Sequence, residues 1–206
     1  MHLLILWQTK PTMPRISAPT LAEHREWRRQ QLVAAACEIA LEQGGQAVTV
    51  AAVAARAGLS RTSVYEYFGS SEELIADLVL DELENFSAVL SHAISDTADS
   101  FLAISQWIQA ALQYIADGRH LLAKALSSIS APAERSREIG AAHKTLLAPL
   151  SQALVEIGIT DLNQALTLIQ AVTDAATKRI ESGCDGKAEI DIATNFCLAG
   201  IRGLLI

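Results

Sequence analysis

The twenty residues Thr49–Phe68, TVAAVAARAGLSRTSVYEYF, read as two short helices joined by a tight turn. Val50, Val53, Ala54 and Ala57 recur at i, i+3, i+4 and i+7, one apolar face at the 3.6-residue period. Gly58 follows where a helix ends in a left-handed residue, a conformation that costs glycine little. Leu59 turns inward, and Ser60 is placed to cap a second helix by accepting a backbone N–H. Val64 and Phe68, four apart, return an apolar face to the same small core. Ala54 supplies the small side chain that two steeply crossing helices need where they meet.

The outward face of the second helix then carries Arg61, Thr62, Ser63, Tyr65 and Tyr67. Donor side chains and aromatic rings on one short helix suit a DNA major groove, with hydroxyls and an arginine for phosphates and base edges. A helical hairpin with a merely solvated polar face is the bland alternative. Turn, cap, crossing residue and donor-rich face together favour the groove-reading helix.

The string Thr49-Val50, Val53-Ala54, Ala57-Gly58-Leu59-Ser60, Ser63-Val64-Tyr65, Tyr67-Phe68, Ser70, Glu72 or Glu73, and Leu74 resembles the DNA-binding domain of the tetracycline-repressor (TetR) family of transcriptional regulators. The resemblance covers roughly residues 22–80. It implies an all-α protein: an N-terminal three-helix helix-turn-helix domain over 21–70 and a C-terminal helical ligand-binding and dimerisation domain over 71–206. It further implies a homodimeric repressor that binds a palindromic operator and is released by a small-molecule effector. Carried over by position, Arg61, Thr62, Ser63 and Tyr65 are the base or groove contacts. Thr49, Ser60 and Tyr67 are phosphate contacts, and one or two of Arg25, Arg28 and Arg29, with Arg28 foremost, meet the DNA backbone. Three positions depart from the family pattern. Ser71 stands where a lysine often meets phosphate, Glu66 takes a slot often aromatic or basic, and Ala51 one that is sometimes a base-reading arginine. Weaker electrostatic affinity and a shallower salt dependence are expected in consequence. A helical small-molecule-binding or scaffolding protein that has lost DNA binding is the alternative function.

Charge is distributed to match. The 206-residue chain carries a net charge of −7, yet residues 1–61 hold seven Lys/Arg against four Asp/Glu, and residues 62–206 hold nine against nineteen. A locally basic surface on an acidic body binds DNA while limiting non-specific contacts. Five prolines and eleven glycines in a chain that is half hydrophobic favour helices throughout. The odd cysteines Cys37, Cys184 and Cys197 are far apart and lack C-x-x-C spacing, which reads as a reduced, cytoplasmic protein without a disulfide framework.

Residues 1–20 are the least regular part and are expected to be disordered or the product of a misassigned start. Leu3–Trp7 is too short an apolar run to span a membrane, so no membrane association is expected. Arg15 marks a basic extension that would suit a minor groove, with a plain tail as the alternative. The first long helix is expected over 21–43, its buried stripe Leu32, Ala35, Ala36, Ile39 and Ala40. Ser70 with Glu73 forms a capping box for a helix to about Ser91. Further helices follow over 100–116, apolar on nearly all sides, then 120–129, from Pro132 to Ile157, from Asp161 to Ser182, and from Ala188 onward.

The last two helices carry the stripes Leu162, Ala165, Leu166, Ile169, Val172, Ala176, Ile180 and Ala193, Phe196, Cys197, Gly200, Ile201, Leu204. Paired with a twin chain they would form a four-helix bundle, where the resemblance also places the dimer interface. The resemblance implies an effector pocket among the middle helices. Phe86, Phe101, Trp107, Tyr114, His120 and His143 are candidates to line it, Trp107 and Tyr114 foremost because they lie seven apart on one helix. Ordinary core packing is the alternative for each. No catalytic or phosphate-binding motif occurs, and no His or Cys spacing suits a metal, so neither enzymatic activity nor a cofactor is expected.

Overall fold

The computed structural model describes residues 21–126 and 131–205, and every regular element among them is helical. The expectations for residues 1–20, Arg15 among them, lie outside the described residues. The helices are α1 (Leu21–Gln43), α2 (Val50–Ala57), α3 (Arg61–Tyr65), α4 (Ser71–Ala93), α5 (Ser100–Ala116), α6 (Leu121–Leu126), α7 (Ala133–Glu156), α8 (Leu162–Glu181) and α9 (Gly186–Gly203). A single 3-10 turn, Gly45–Ala47, links α1 to α2. The chain forms two compact units. Of the described residues, one, the head, comprises 21–82, 121–126 and 131–139; the other, the body, comprises Leu83–His120 and 140–205. Both α4 and α7 contribute residues to each.

The head closes around the stripe expected of α1. Leu32, Ala35, Ala36, Ile39 and Ala40 are all buried, joined by Val53 and Ala54 of α2, Val64 of α3, Phe68, and Leu74 and Leu78 of α4. The same core takes Leu122 and Leu126 of α6. Pattern reading groups that short helix with the C-terminal half; its two leucines instead complete the head. Ion pairs add to the packing: Arg29 binds Asp77 at 3.1 Å, and Arg135 at the start of α7 binds both Asp77 and Glu138.

Local signals start most of the helices. Glu73 N–H donates to Ser70 Oγ, and the Glu73 carboxylate accepts from Gly69 N–H at 3.0 Å, a reciprocal box one residue wider than the usual form. Asp99 caps α5 by accepting from Phe101 and Leu102 N–H, Asp161 caps α8 through Gln164 N–H, and Asp185 caps α9 through Lys187 and Ala188 N–H. With Asp185 as cap, α9 starts at Gly186, two residues before the expected Ala188.

In the body, α5 packs against both α8 and α9, which also pack on each other. Leu90, Ile104, Ile108, Leu112, Leu150 and Leu154 are its most deeply buried large side chains. The expected all-round burial of α5 is not found: Leu102 is 47 % exposed, and Gln109 and Gln113 face outward. Hydrophobic count overstated the buried face because Phe101 and Ile115 lie at its edge, only partly covered.

The stripes on α8 and α9 need a similar correction. Ala165, Ile169, Ala176, Ala193, Cys197 and Ile201 are buried within the monomer and form its own core. A second apolar face lies beside them and is uncovered. It carries Leu168, Ala171, Val172, Ala175, Ile192, Phe196, Gly200 and Leu204, with Ile192 63 % and Phe196 66 % exposed. Of the residues expected to form the exposed face, Val172, Phe196, Gly200 and Leu204 lie on it.

Candidate nucleic-acid interface

The turn between α2 and α3 has the geometry its residues demand. Gly58 sits at φ 69°, ψ 30°, and the helix closes through Gly58 N–H to Ala55 O and Leu59 N–H to Ala54 O. Ser60 then caps α3, its Oγ accepting from Ser63 N–H at 3.1 Å and lying 2.9 Å from Ser63 Oγ. Val64 is fully buried and Phe68 nearly so, anchoring the short helix by one side. Arg61, Thr62, Tyr65 and Glu66 consequently share the exposed side.

Of the expected groove contacts, Arg61, Thr62 and Tyr65 are displayed together, whereas Ser63 is half-buried and faces the Ser60 hydroxyl. Tyr67 is half-buried against the head core, with the Arg25 guanidinium 5.9 Å from its ring centroid. Thr49 is exposed, but its Oγ already accepts from Ala52 N–H at 3.2 Å, leaving the hydroxyl proton as its outward donor.

Sequence reading treats Ser71 only as a missing lysine. In the structure its Oγ accepts from Val50 N–H at 3.1 Å, tying the first residue of α4 to the first turn of α2. Orphan amides at a helix start need such partners. Two of the four in α2 are thus satisfied by side chains, one from each flank. No local pattern signals this contact, because the partners are 21 residues apart.

The arginines of the head divide by partner. Arg56 is held by Glu38 at 3.1 Å and Glu42 at 2.8 Å, and its hydrogen bonds hold the Glu42 carboxyl below its usual range. Arg29 is committed to Asp77, and Arg25 lies over Tyr67. Arg28 is exposed, and its guanidinium has no partner among the described residues; the same holds for Arg61.

In the body, Trp107 and Tyr114 are 6 % and 4 % exposed on the inner side of α5. Tyr114 packs on Phe86 with ring centroids 4.4 Å apart, and the Arg119 guanidinium lies over the Tyr114 ring, 4.3 Å from its centroid. Trp107 Nε1 is buried and donates to no described residue. A groove of about 600 Å³ runs over the uncovered face of α8 and α9, and a concavity of about 440 Å³ is lined by Gln106, Gln109, Gln113, Lys187 and Asp191. Neither is lined by Trp107 or Tyr114. His120 Nε2 lies 2.9 Å from Glu181, while His143 is exposed. Among the described residues no group of three or more His, Cys, Asp or Glu is placed to hold a metal, and no helix is long and apolar enough to cross a membrane.

A three-helix head whose short third helix is capped, anchored by one side and polar on the other has the geometry of a helix-turn-helix unit. Residues 32–78 match the family model described as "Bacterial regulatory proteins, tetR family". A curated relative, the HTH-type transcriptional activator FasR of Mycolicibacterium smegmatis, is 29% identical over 91 residues, 44% of this chain. The match spans 42% of that relative's length. Among solved structures, the transcriptional regulator FadR from Bacillus subtilis in complex with stearoyl-CoA superposes with a TM-score of 0.69 at 22% identity, covering 83% of this chain and 98% of that one. A TetR-like transcriptional regulator from Rhodococcus sp. RHA1 gives 0.69 at 20% identity, covering 91% and 100%. These likenesses show the fold.

Proposed function

We propose that this chain is a homodimeric repressor that binds a two-fold-symmetric operator and is released by a small-molecule effector. The observation that carries the reading is the exposed side of α3, where Arg61, Thr62 and Tyr65 stand together on a helix fixed by Val64 and the Ser60 cap. Unpartnered Arg28 supplies a phosphate contact beside them in the head. Thr49 and Ser60, both exposed hydroxyls at helix starts, suit phosphate oxygens. Tyr67 and Ser63 act from half-buried positions.

The uncovered apolar face of α8 and α9 supports the dimer. Leu168, Ile192 and Phe196 exposed side by side form a patch of the kind that marks association. A two-fold dimer presents two reading helices to a palindrome. For the effector, buried Trp107 and Tyr114 are the residues to probe, Trp107 Nε1 being a donor available to a polar group. An effector that prefers one conformation of the body lowers the population of the DNA-competent state by its differential affinity. Long-chain acyl-CoAs are the first compounds to screen, since the fold is shared with a regulator solved with stearoyl-CoA.

The deciding experiment is fluorescence anisotropy with duplexes from the upstream region of the chain's own gene. The Arg61→Ala, Tyr65→Ala double variant serves as control. Saturable, competitor-resistant binding that the variant loses supports the reading. Equal behaviour of both proteins, there and on a genomic operator screen, sinks it in favour of a ligand-binding or scaffolding role.

A further inference from the structure

Glu66 is the one acidic residue between Arg61 and Phe68. It follows the last residue of α3, yet the helical path continues through it: φ −70°, ψ −19°, with its N–H donating to Thr62 O. At about 100° per residue, it lies on the same exposed side as Thr62 and Tyr65, away from buried Val64. Its carboxylate has no partner among the described residues. That sets it apart from Glu38 and Glu42 on Arg56, Asp77 on Arg29, and Glu73 on Gly69 N–H.

A free carboxylate on a surface that meets DNA is repelled by phosphates, so it is unfavourable there unless a donor receives it. An ionised carboxylate only accepts hydrogen bonds. In the major groove guanine offers acceptors, thymine an acceptor and a methyl, and adenine an amino group flanked by the N7 acceptor. Cytosine alone presents an amino donor without an acceptor on its own edge. We propose that Glu66 is a specificity-determining residue that accepts a hydrogen bond from the 4-amino group of a cytosine, one in each half-site. This rests on the DNA-reading role of α3.

The test is selection of bound duplexes from a randomised pool with the wild-type chain, Glu66→Gln and Glu66→Ala, each checked for folding by thermal melting. Wild type is expected to enrich one C·G pair per half-site. Glu66→Ala is expected to lose that preference by about tenfold or more while keeping the others, and Glu66→Gln, whose amide oxygen still accepts but carries no charge, to keep only part of it. Glu66→Gln is also expected to bind random duplex more tightly, because a repelling charge is gone. On the selected duplex, a 2-pyrimidinone nucleotide lacking the 4-amino group in place of that cytosine should weaken wild type and leave Glu66→Ala unaffected. An unchanged base preference in both variants overturns the assignment, as does a wild-type consensus without that cytosine. If wild type enriches nothing and the Arg61→Ala, Tyr65→Ala variant binds like it, the DNA-reading role itself has failed.

Discussion

Arg28 and Arg56 are both arginines of the head, but only Arg28 has a guanidinium with no partner among the described residues. Arg28→Ala should weaken DNA binding about equally across sequences and reduce the slope of log affinity against log salt by about one. Arg56→Ala should leave that slope unchanged. Anisotropy titrations from low to moderate salt separate the two. The cysteines differ in the same way. Burial, with Glu82, Asp81 and Glu38 nearby, pushes the Cys37 thiol up to about 12, and burial pushes Cys197 to about 11. Thiolate is the reactive form, so the native chain should show one fast thiol toward a disulfide reagent, Cys184, and two that react only on unfolding. A Cys184→Ser variant that keeps the fast phase contradicts this. Much at this scale was legible in sequence, since Ser60, Thr49 and Ser70 act on amides within three residues. Ser71 and Arg56 were not, because their partners come from other helices and depend on how the helices are arranged.

Among the elements, the α2–α3 turn depends on backbone conformation more than on contacts. A Cβ added at Gly58 meets nothing within 4 Å, so Gly58→Ala should cost about 1 kcal/mol through its positive φ alone. Denaturant unfolding measures it, and a loss near zero would show that the turn relaxes. The junction of α8 and α9 is pinned electrostatically: Arg179 binds buried Glu189 at 2.7 Å. Its hydrogen bond lowers the Glu189 carboxyl below its ordinary value of 4.5. A depressed acid contributes stability fully above the unfolded value, and that contribution fades as pH falls through the folded one. Glu189→Gln should therefore lower the melting temperature at neutral pH, the difference from wild type fading only as pH falls through the lowered folded value. Equal melting temperatures at pH 7 would dismiss the pair. Helix existence and caps were readable from pattern here, but not which apolar face turns inward. Ala165 and Ile169 sit in the core while Leu168 is 51 % exposed, a choice made by α5 rather than by the period of α8 itself.

For the molecule as a whole, the open apolar face carries the prediction. Phe196 is 66 % exposed, so Phe196→Asp leaves the monomer core intact while placing a charge where a twin chain would dock. Sedimentation should find a dimer for wild type and a monomer for the variant, with palindromic DNA bound at least tenfold more weakly. A variant that remains dimeric would move the interface elsewhere. The head has a different whole-chain dependence. Its core begins at Leu32 and ends at Leu126, with residues 83–120 belonging to the other unit. A ribosome that has finished α3 and α4 therefore still holds an unclosed core, since two of its leucines are yet to be translated. Grafting residues 21–82 onto another protein would transplant the hydrophobic hollow that Leu122 and Leu126 fill. In this chain the smallest portable form of the head extends through α6, and its evolution by shuffling would have to carry that longer piece.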